Sequence, residues 1–490
     1  MGGNKERFAS CFDRQILLNK KYPFTLSILP LVCAVSRESP IKIKAFADKL
    51  HYVMFISFDS VQAYYSVVTG SVLSMFQFMT STRIIFGEGA LQSSLSVINQ
   101  YGYSVLLVTG KNTDRASSIL HYIKQQNMRY QHVAISGEPN ITMIEETALV
   151  GRKFKPDMVI AIGGGSVLDM GKALAAVIPN QGDVYDYVEV VGRNVPLKSK
   201  PIPFIAIPTT ASTGSEVTRN AVLRSGQDQV KVSLRSPDML ADVAIIDPTL
   251  TYGTDKLTSG RGAMDAFTHL MEAYVCGDPN PLTDMICEEG LRRLSQSILP
   301  ACLQDDYKAR ADISFAAMLG GMAITNAKLG AAHGLASALG GKLDAPHSVI
   351  TGRLVPFVMT ENIKAAKRAG RGDVLHRYSK VAQILTGRVN ACRDDAILWV
   401  NMMLEKLALP KLDSFGICTT SFEKVADDAL KSVAIKGNPL PLTKERLTYI
   451  LRQVCQCQES CRKAENRKQE SNARVVSVGD KKDQGSYQDS

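Results

Sequence analysis

The sequence predicts an α/β domain built on a parallel sheet, followed by an all-α domain. Three observations carry this. Short apolar, β-rich runs alternate with amphipathic stretches between Ser104 and Ile246. Beyond Asp247 those runs fade, and helical periodicity continues to about Arg452. The two ends differ in composition from both. The expected partition is a poorly ordered leader over 1–74, the α/β domain over 75–250, the helical domain over 251–454 and a disordered tail over 455–490.

The elements follow in order. Met75 begins a segment, MFQFMTSTRIIFGEGAL, that reads as a natural opening. Ser104–Thr109 is a short apolar strand, and GKNTDRASSILHYIKQ is a helix opening on Asn, Thr and Asp cap chemistry. Gln131–Ile135 is a strand, Ile144–Lys153 a helix and Met158–Ile162 a continuous apolar strand. A helix begins at Ser166, and Pro203–Ile207 and Val243–Ile246 are further buried strands. Strands and helices alternating at this length make a parallel sheet covered on both faces. Long helices dominate from Lys256 onward.

The 490 residues are 45% apolar and 21% charged, which excludes collagen-like, coiled-coil and wholly disordered chains. The net charge is +10, with nine Lys and Arg against five Asp and Glu in residues 1–77 alone. No concentrated basic stripe accompanies it, so no nucleic-acid role is expected. The runs Phe24–Val35 and Tyr52–Phe78 are interrupted by Pro30 and by Asp59 and Gln62, so no membrane span is expected. The ten cysteines include no CxxC pair, which fits a reducing compartment. Cys455, Cys457 and Cys461 lack a complete zinc spacing and read as tail cysteines. A cytoplasmic location is expected, or a mitochondrial one if the leader is a transit segment.

Two loops carry ligand chemistry. Gly163-Gly164-Gly165-Ser166 follows the strand MVIAI and opens a helix. Glycines let the backbone approach a polyanion, and the free N–H groups at the helix start favour phosphate. Ser166 has the chemistry of a helix cap and a phosphate donor. The pattern is not GxGxxG, and a tight strand-to-helix turn without a ligand is the alternative. After the strand PFIAI comes a hydroxyl-rich run from Thr209 to Thr218, where α/β sheets bind ligands; a plain helix-capping loop is the other reading.

Three of the seven histidines lie within a short stretch. Asp265 and His269 share one face of a helix, four residues apart. His333 falls near a second helix start and His347 in a loop. One carboxylate and three imidazoles suit a divalent metal such as Fe²⁺ or Zn²⁺. A surface pair and satisfied core histidines remain the alternative.

The chain resembles the iron-containing (group III) alcohol dehydrogenases, which share the dehydroquinate synthase-like fold. The matching stretches include STRIIFGEGAL, SVLLVTGKN, KPDMVIAIGGGSVLDMGKA, IPTTASTGSEVT, GAMDAFTHLMEAYV, AAHGLASALGG and APHSV, in family order from about Met75 to Arg452. The resemblance implies a dinucleotide-binding first domain and a metal-binding helical domain. It implies Asp265, His269, His333 and His347 as ligands of Fe²⁺, with Zn²⁺ an alternative. It also implies Gly110, Asn140, Gly163, Gly164, Gly165, Ser166, Asp169, Thr209, Thr210, Thr213, Asn220 and Lys231 as contacts of NADP or NAD. The implied reaction moves a hydride between NAD(P)(H) and a small alcohol or aldehyde, or a hydroxy acid or oxo acid, in a homo-oligomer, expected to be a dimer. The rivals are a hydroxyacid–oxoacid transhydrogenase, a maleylacetate-type reductase and, more remotely, a dehydroquinate synthase-like lyase.

Two departures stand out. Ser337 occupies the position where many members carry a further His with a proton-relay role. Gly110 stands where NAD-preferring relatives carry an Asp, which removes a repulsion against a 2′-phosphate, and Lys111 is adjacent.

Overall fold

The computed structural model describes residues 75–81 and 83–456. The expected leader, and the tail from Cys457 onward, lie outside the described residues. The strands are β1 (Arg83–Phe86), β2 (Ser104–Gly110), β3 (Arg129–Ile135), β4 (Met158–Gly163), β5 (Phe204–Pro208), β6 (Asn220–Ser225), β7 (Val230–Arg235) and β8 (Val243–Ile246). The helices of the sheet-bearing half are α1 (Ala90–Ser94), α2 (Ser117–Gln125), α3 (Ile141–Phe154) and α4 (Gly165–Val177). Those of the helical half are α5 (Lys256–Val275), α6 (Pro281–Gln304), α7 (Tyr307–Asn326), α8 (Ala331–Leu339), α9 (His347–Arg368), α10 (Gly372–Thr386), α11 (Arg393–Lys406), α12 (Phe422–Lys431) and α13 (Lys444–Val454).

Six strands form one parallel sheet in the order β1-β8-β5-β4-β2-β3. Side chains alternate across it with a period of two. Val105 and Leu107 join one apolar cluster with α1 and α2, while Leu106 and Val108 join another with α3 and α4. Both faces are thus covered, which is why the strands read as continuous apolar runs. The expected parallel α/β sheet followed by helices is what the structure has.

Locally the structure differs from the expected pattern in two places. The cap chemistry at Asn112–Asp114 makes a turn, where Asn112 Oδ1 accepts the Asp114 N–H at 2.8 Å, and a short 3₁₀ turn precedes α2. The helix therefore starts at Ser117, later than expected, because those polar side chains satisfy local backbone instead of a cap. The antiparallel hairpin β6–β7 was not anticipated. Its alternating burial is half polar, so it lacks the continuous apolar signature of the main sheet.

Helix α5 is the axis of the helical half. Asp255 caps it by accepting the Thr258 N–H at 2.8 Å. From Gly262 to Val275 every residue is buried, with α6, α7 and α9 packed around it. A helix enclosed on all sides carries polar residues only where they have partners, so Asp265, Thr268, His269 and Glu272 on it call for an explanation. Among the described residues no helix is long and apolar enough to cross a membrane.

Candidate metal centre

The centre is assembled from three helices. Asp265 and His269 lie one turn apart on α5, and Glu272 follows one turn later on the same face. His333 is the third residue of α8. His347 is the first residue of α9, behind Pro346 at the cap position, so the expected loop placement is corrected to a helix start. Proline holds the extended backbone before the helix and leads the chain directly into it.

Ligand-type atoms of Asp265, His269 and His333 lie within 4.8 Å of one another. The rings of His269 and His333 stack with centroids 4.7 Å apart, and those of His333 and His347 sit 5.6 Å apart at 51°. Asp265 is fully buried, and His269 and His333 are 4% exposed. Among the described residues, His269 Nδ1, His333 Nε2 and His347 Nδ1 are buried without a hydrogen-bond partner. Each such atom costs about 1–3 kcal/mol. Unpartnered ring nitrogens on histidines grouped with a buried carboxylate fit a cation as the missing partner, with Asp265, His269 and His333 forming the compact set and the His347 ring next to that of His333.

The surroundings prepare the donors. His333 Nδ1 lies 2.7 Å from Glu272 Oε2, and Glu272 also accepts the N–H groups of Gly330 and Ala332 at 2.9 and 2.7 Å. With Nδ1 donating to the carboxylate, Nε2 keeps its lone pair for a metal. Asp265 Oδ1 accepts the Thr351 hydroxyl at 2.8 Å and Oδ2 the Ser212 hydroxyl at 3.3 Å. Burial pushes the Asp265 carboxyl up, but the three imidazoles and Thr351 outweigh it and leave it below its usual value. Burial pushes His269 down to about 4, opposed by Asp265 and Glu272. Burial and then the Lys231 ammonium hold His347 well below its usual value. Both rings are therefore neutral near pH 7, the form that binds metal.

These imidazoles line a cleft of about 400 Å³ shared with Ser337 from α8 and with Asp169, Thr213, Asn220 and Lys231 from the sheet-bearing half. Of the expected dinucleotide residues, those four meet the histidines. Gly110, Asn140, Gly163–Ser166, Thr209 and Thr210 lie beyond the cleft lining, at or just after the C-terminal ends of β2, β3, β4 and β5. That rim is where parallel sheets bind nucleotides.

Several of these residues have structural partners. Asn140 caps α3 by accepting the Met143 N–H at 2.8 Å. The Thr209 carbonyl accepts Arg115 Nη1 at 3.1 Å. Lys231 pairs with Glu138 at 2.6 Å. Gly164 occupies the cap position of α4, so Ser166 is the second helical residue and does not cap, a correction to the expectation. The glycines also have a packing reason. A Cβ on Gly163 would lie 2.6 Å from Val167 Cβ, and one on Gly165 would lie 2.7 Å from Thr213 Oγ1. Gly165→Ala should push Thr213 out of place and raise KM for the dinucleotide about tenfold, by steady-state kinetics, with a smaller effect on Tm.

A buried charge cluster supports the threonine segment. Lys172 Nζ donates to the Ser215 carbonyl at 2.7 Å, Ser215 Oγ at 3.0 Å, Thr218 Oγ1 at 2.8 Å and the Asn220 carbonyl at 2.8 Å. Burial pulls Lys172 down to about 8, opposed by Asp169 and Glu216. Asp169 accepts Ser215 Oγ at 2.5 Å and the Val222 N–H at 3.1 Å. Burial pushes Glu216 up to about 7, so the folded protein holds a proton that the unfolded chain releases nearer 4.5. The associated stability is present below pH 4.5 and lost as pH rises through 7. Glu216→Gln should therefore gain up to about 3 kcal/mol at pH 8 and little at pH 4.5, by denaturant unfolding at both values.

Sequence reasoning missed Glu272, Thr351 and Ser212. Glu272 was detectable, three residues after His269 on the face it shares with Asp265. Ser212 and Thr351 reach Asp265 from distant segments, and no spacing announces that.

Residues 81–248 match the family model described as iron-containing alcohol dehydrogenase, and residues 260–455 match that of the Fe-containing alcohol dehydrogenase family C-terminal region. Alcohol dehydrogenase 4 of Saccharomyces cerevisiae is 30% identical over 377 residues, covering 75% of this chain and 96% of the relative. The 1,3-propanediol dehydrogenase of Klebsiella pneumoniae is 29% identical over 398 residues, covering 78% and 99%. A crystal structure of a 1,3-propanediol oxidoreductase superposes with a TM-score of 0.71 at 28% identity, covering 78% of this chain and all of the other. The chain belongs to the iron-containing alcohol dehydrogenase family.

Proposed function

We propose that the chain interconverts alcohols and aldehydes with NAD(P)(H) in this cleft, and that Asp265, His269, His333 and His347 hold one divalent metal there. The observation that carries this is the close grouping of Asp265, His269 and His333, with unpartnered ring nitrogens on His269, His333 and His347, on histidines that line the same cleft as Thr213 and Asn220. Residues 75–250 serve as the dinucleotide domain and 251–454 as the metal domain in this reading. We further propose Fe²⁺ as the resident metal, as the family description implies, and NADP(H) as the preferred dinucleotide. Gly110 carries no carboxylate to repel a 2′-phosphate, and Lys111 follows it.

Held by Asp265, His269, His333 and His347, a divalent metal would supply Lewis-acid polarisation of the substrate oxygen, and a bound nicotinamide would supply or take the hydride. The protein orients both partners. The rim after β2, β3, β4 and β5 receives the adenosine and pyrophosphate end, with the N–H groups at the start of α4 turned to phosphate. Thr213 and Asn220 hold the nicotinamide end toward the histidines. The Ser337 hydroxyl donates to the His333 carbonyl at 3.0 Å. Its lone pairs are left to accept a bond from a substrate hydroxyl, so it orients that hydroxyl and a water completes the path to solvent.

A hydroxy acid or oxo acid is a second reading, favoured by one observation. Lys424, Asp428 and Lys431 share a face of α12 along the cleft, and Lys342 joins them. Asp428 already pairs with Lys342 at 2.9 Å and Lys431 at 3.6 Å. Among the described residues Lys424 forms no ion pair with a side chain, so the group is net positive. The test is an anaerobic assay of metal-reconstituted enzyme with simple aldehydes and oxo acids of equal length, with NADH and NADPH. Steady loss of nicotinamide absorbance with aldehydes, faster with NADPH, is expected. Turnover confined to oxo acids would favour the second reading, and product formation without net nicotinamide change, when a hydroxy acid is added as hydride donor, would mean transhydrogenation.

A further inference from the structure

The chain between β5 and β6 touches both candidate sites within four residues. Ser212 donates its hydroxyl to Asp265 Oδ2 at 3.3 Å. Thr213, the next residue, lies against Gly165 of the phosphate turn and lines the cleft. Ser215 is fixed from the other side, donating to Asp169 at 2.5 Å and accepting from Lys172 at 3.0 Å.

The segment has little slack. Gly214 adopts a left-handed backbone, with φ at +63°. A Cβ there would lie 2.4 Å from the Ala317 carbonyl oxygen of α7, and one on Gly321 would lie 2.2 Å from the Gly214 carbonyl oxygen. On the α5 side, a Cβ on Gly262 would lie 2.7 Å from the Ala211 carbonyl oxygen and 3.0 Å from Ser212 Cβ. Gly262 stands three residues before Asp265, so the segment bears on the same stretch of helix that presents the carboxylate. Close-packed backbone of this kind transmits a shift rather than absorbing it.

We propose that Ser212–Ser215 couples the two sites, so that dinucleotide seated against Thr213 tightens metal binding at Asp265 through the Ser212 hydroxyl. Ser212 is a positioning residue: it acts on the metal through the carboxylate. Because the segment is wedged, a shift that an occupant imposes on Thr213 is passed to Ser212 and shortens its 3.3 Å hydrogen bond to Oδ2, which orients the carboxylate toward its cation. Thermodynamic linkage then requires the metal to tighten dinucleotide binding by the same factor. The inference rests on the assignment of Asp265 to the metal and of Thr213 to the dinucleotide.

The test is equilibrium metal affinity, with Zn²⁺ as a redox-inert probe in competition with a chromogenic chelator, with and without saturating NADPH. NADPH affinity of the apo and Zn²⁺-loaded protein is measured beside it by nucleotide fluorescence. In the wild type NADPH should tighten Zn²⁺ about 5–20-fold, and Zn²⁺ should tighten NADPH by the same ratio. Ser212→Ala should bring both ratios close to one. Thr351→Ala is the control, since Thr351 bonds the other carboxylate oxygen from α9 and, among the described residues, forms no hydrogen bond with the segment. It should weaken Zn²⁺ yet keep the ratio. Equal ratios in wild type and Ser212→Ala, or loss of the ratio in Thr351→Ala alone, would overturn the coupling. Binding of both ligands with no mutual effect would overturn it and leave the proposed function standing, whereas failure to bind Zn²⁺ at all would remove the proposed function itself.

Discussion

His269→Ala is expected to yield a folded protein without bound metal and with kcat/KM at least about 100-fold lower, beyond the usual range for an outer-shell change. His269 sits at the middle of α5, and alanine is a better helix former, so far-UV circular dichroism should be unchanged. Removing the ring also removes one unpartnered buried nitrogen, so the apo variant should unfold no earlier than the apo wild type. The exposed His121→Ala is the matched control and should retain metal and turnover. Full metal content with normal turnover in His269→Ala would contradict the ligand assignment.

Glu272→Ala is expected to be the most damaging change outside the four proposed ligands. Glu272 is 2% exposed and serves His333 together with the N–H groups of Gly330 and Ala332 at the start of α8. Its loss orphans buried donors and removes a negative charge from a helix N-terminus. A stability loss of about 3–5 kcal/mol is expected by denaturant unfolding, as when one partner of a buried charged contact is deleted. Glu272→Gln separates the roles. The amide keeps an acceptor for one N–H and preserves volume, so most stability should return, while metal affinity falls about 10–100-fold because His333 is no longer polarised by a carboxylate. If Glu272→Gln bound metal as tightly as the wild type, the carboxylate would be structural only.

The sheet was legible because its strands are buried on both faces. Val105 to Val108 and Met158 to Ile162 have no polar side to disguise them, and parallel pairing follows from the helices between them. The hairpin β6–β7 was not, since half of each strand is polar and nothing local distinguishes Lys231 or Ser233 from loop residues. Helix α5 was legible as a helix, and the spacing of Asp265 and His269 placed them on one face. The meeting of that face with His333 and His347 was not legible from spacing, because it depends on how α8 and α9 pack back on α5; only the family resemblance implied it. The glycine triplet was readable as a turn, yet its packing reasons, Val167 beside Gly163 and Thr213 beside Gly165, appear only in three dimensions. Ser166 lies inside α4 rather than at its cap, because the backbone turns at Gly164 and the helix begins at Gly165.

The most direct test is an anomalous-difference map from anaerobically grown crystals of the iron-loaded enzyme with NADPH, collected on both sides of the iron absorption edge. The account predicts one strong peak at coordination distance from an Asp265 oxygen and from a nitrogen of His269, His333 and His347, with the nicotinamide ring across the cleft. A peak held by other residues, or a nicotinamide seated away from these histidines, would contradict it.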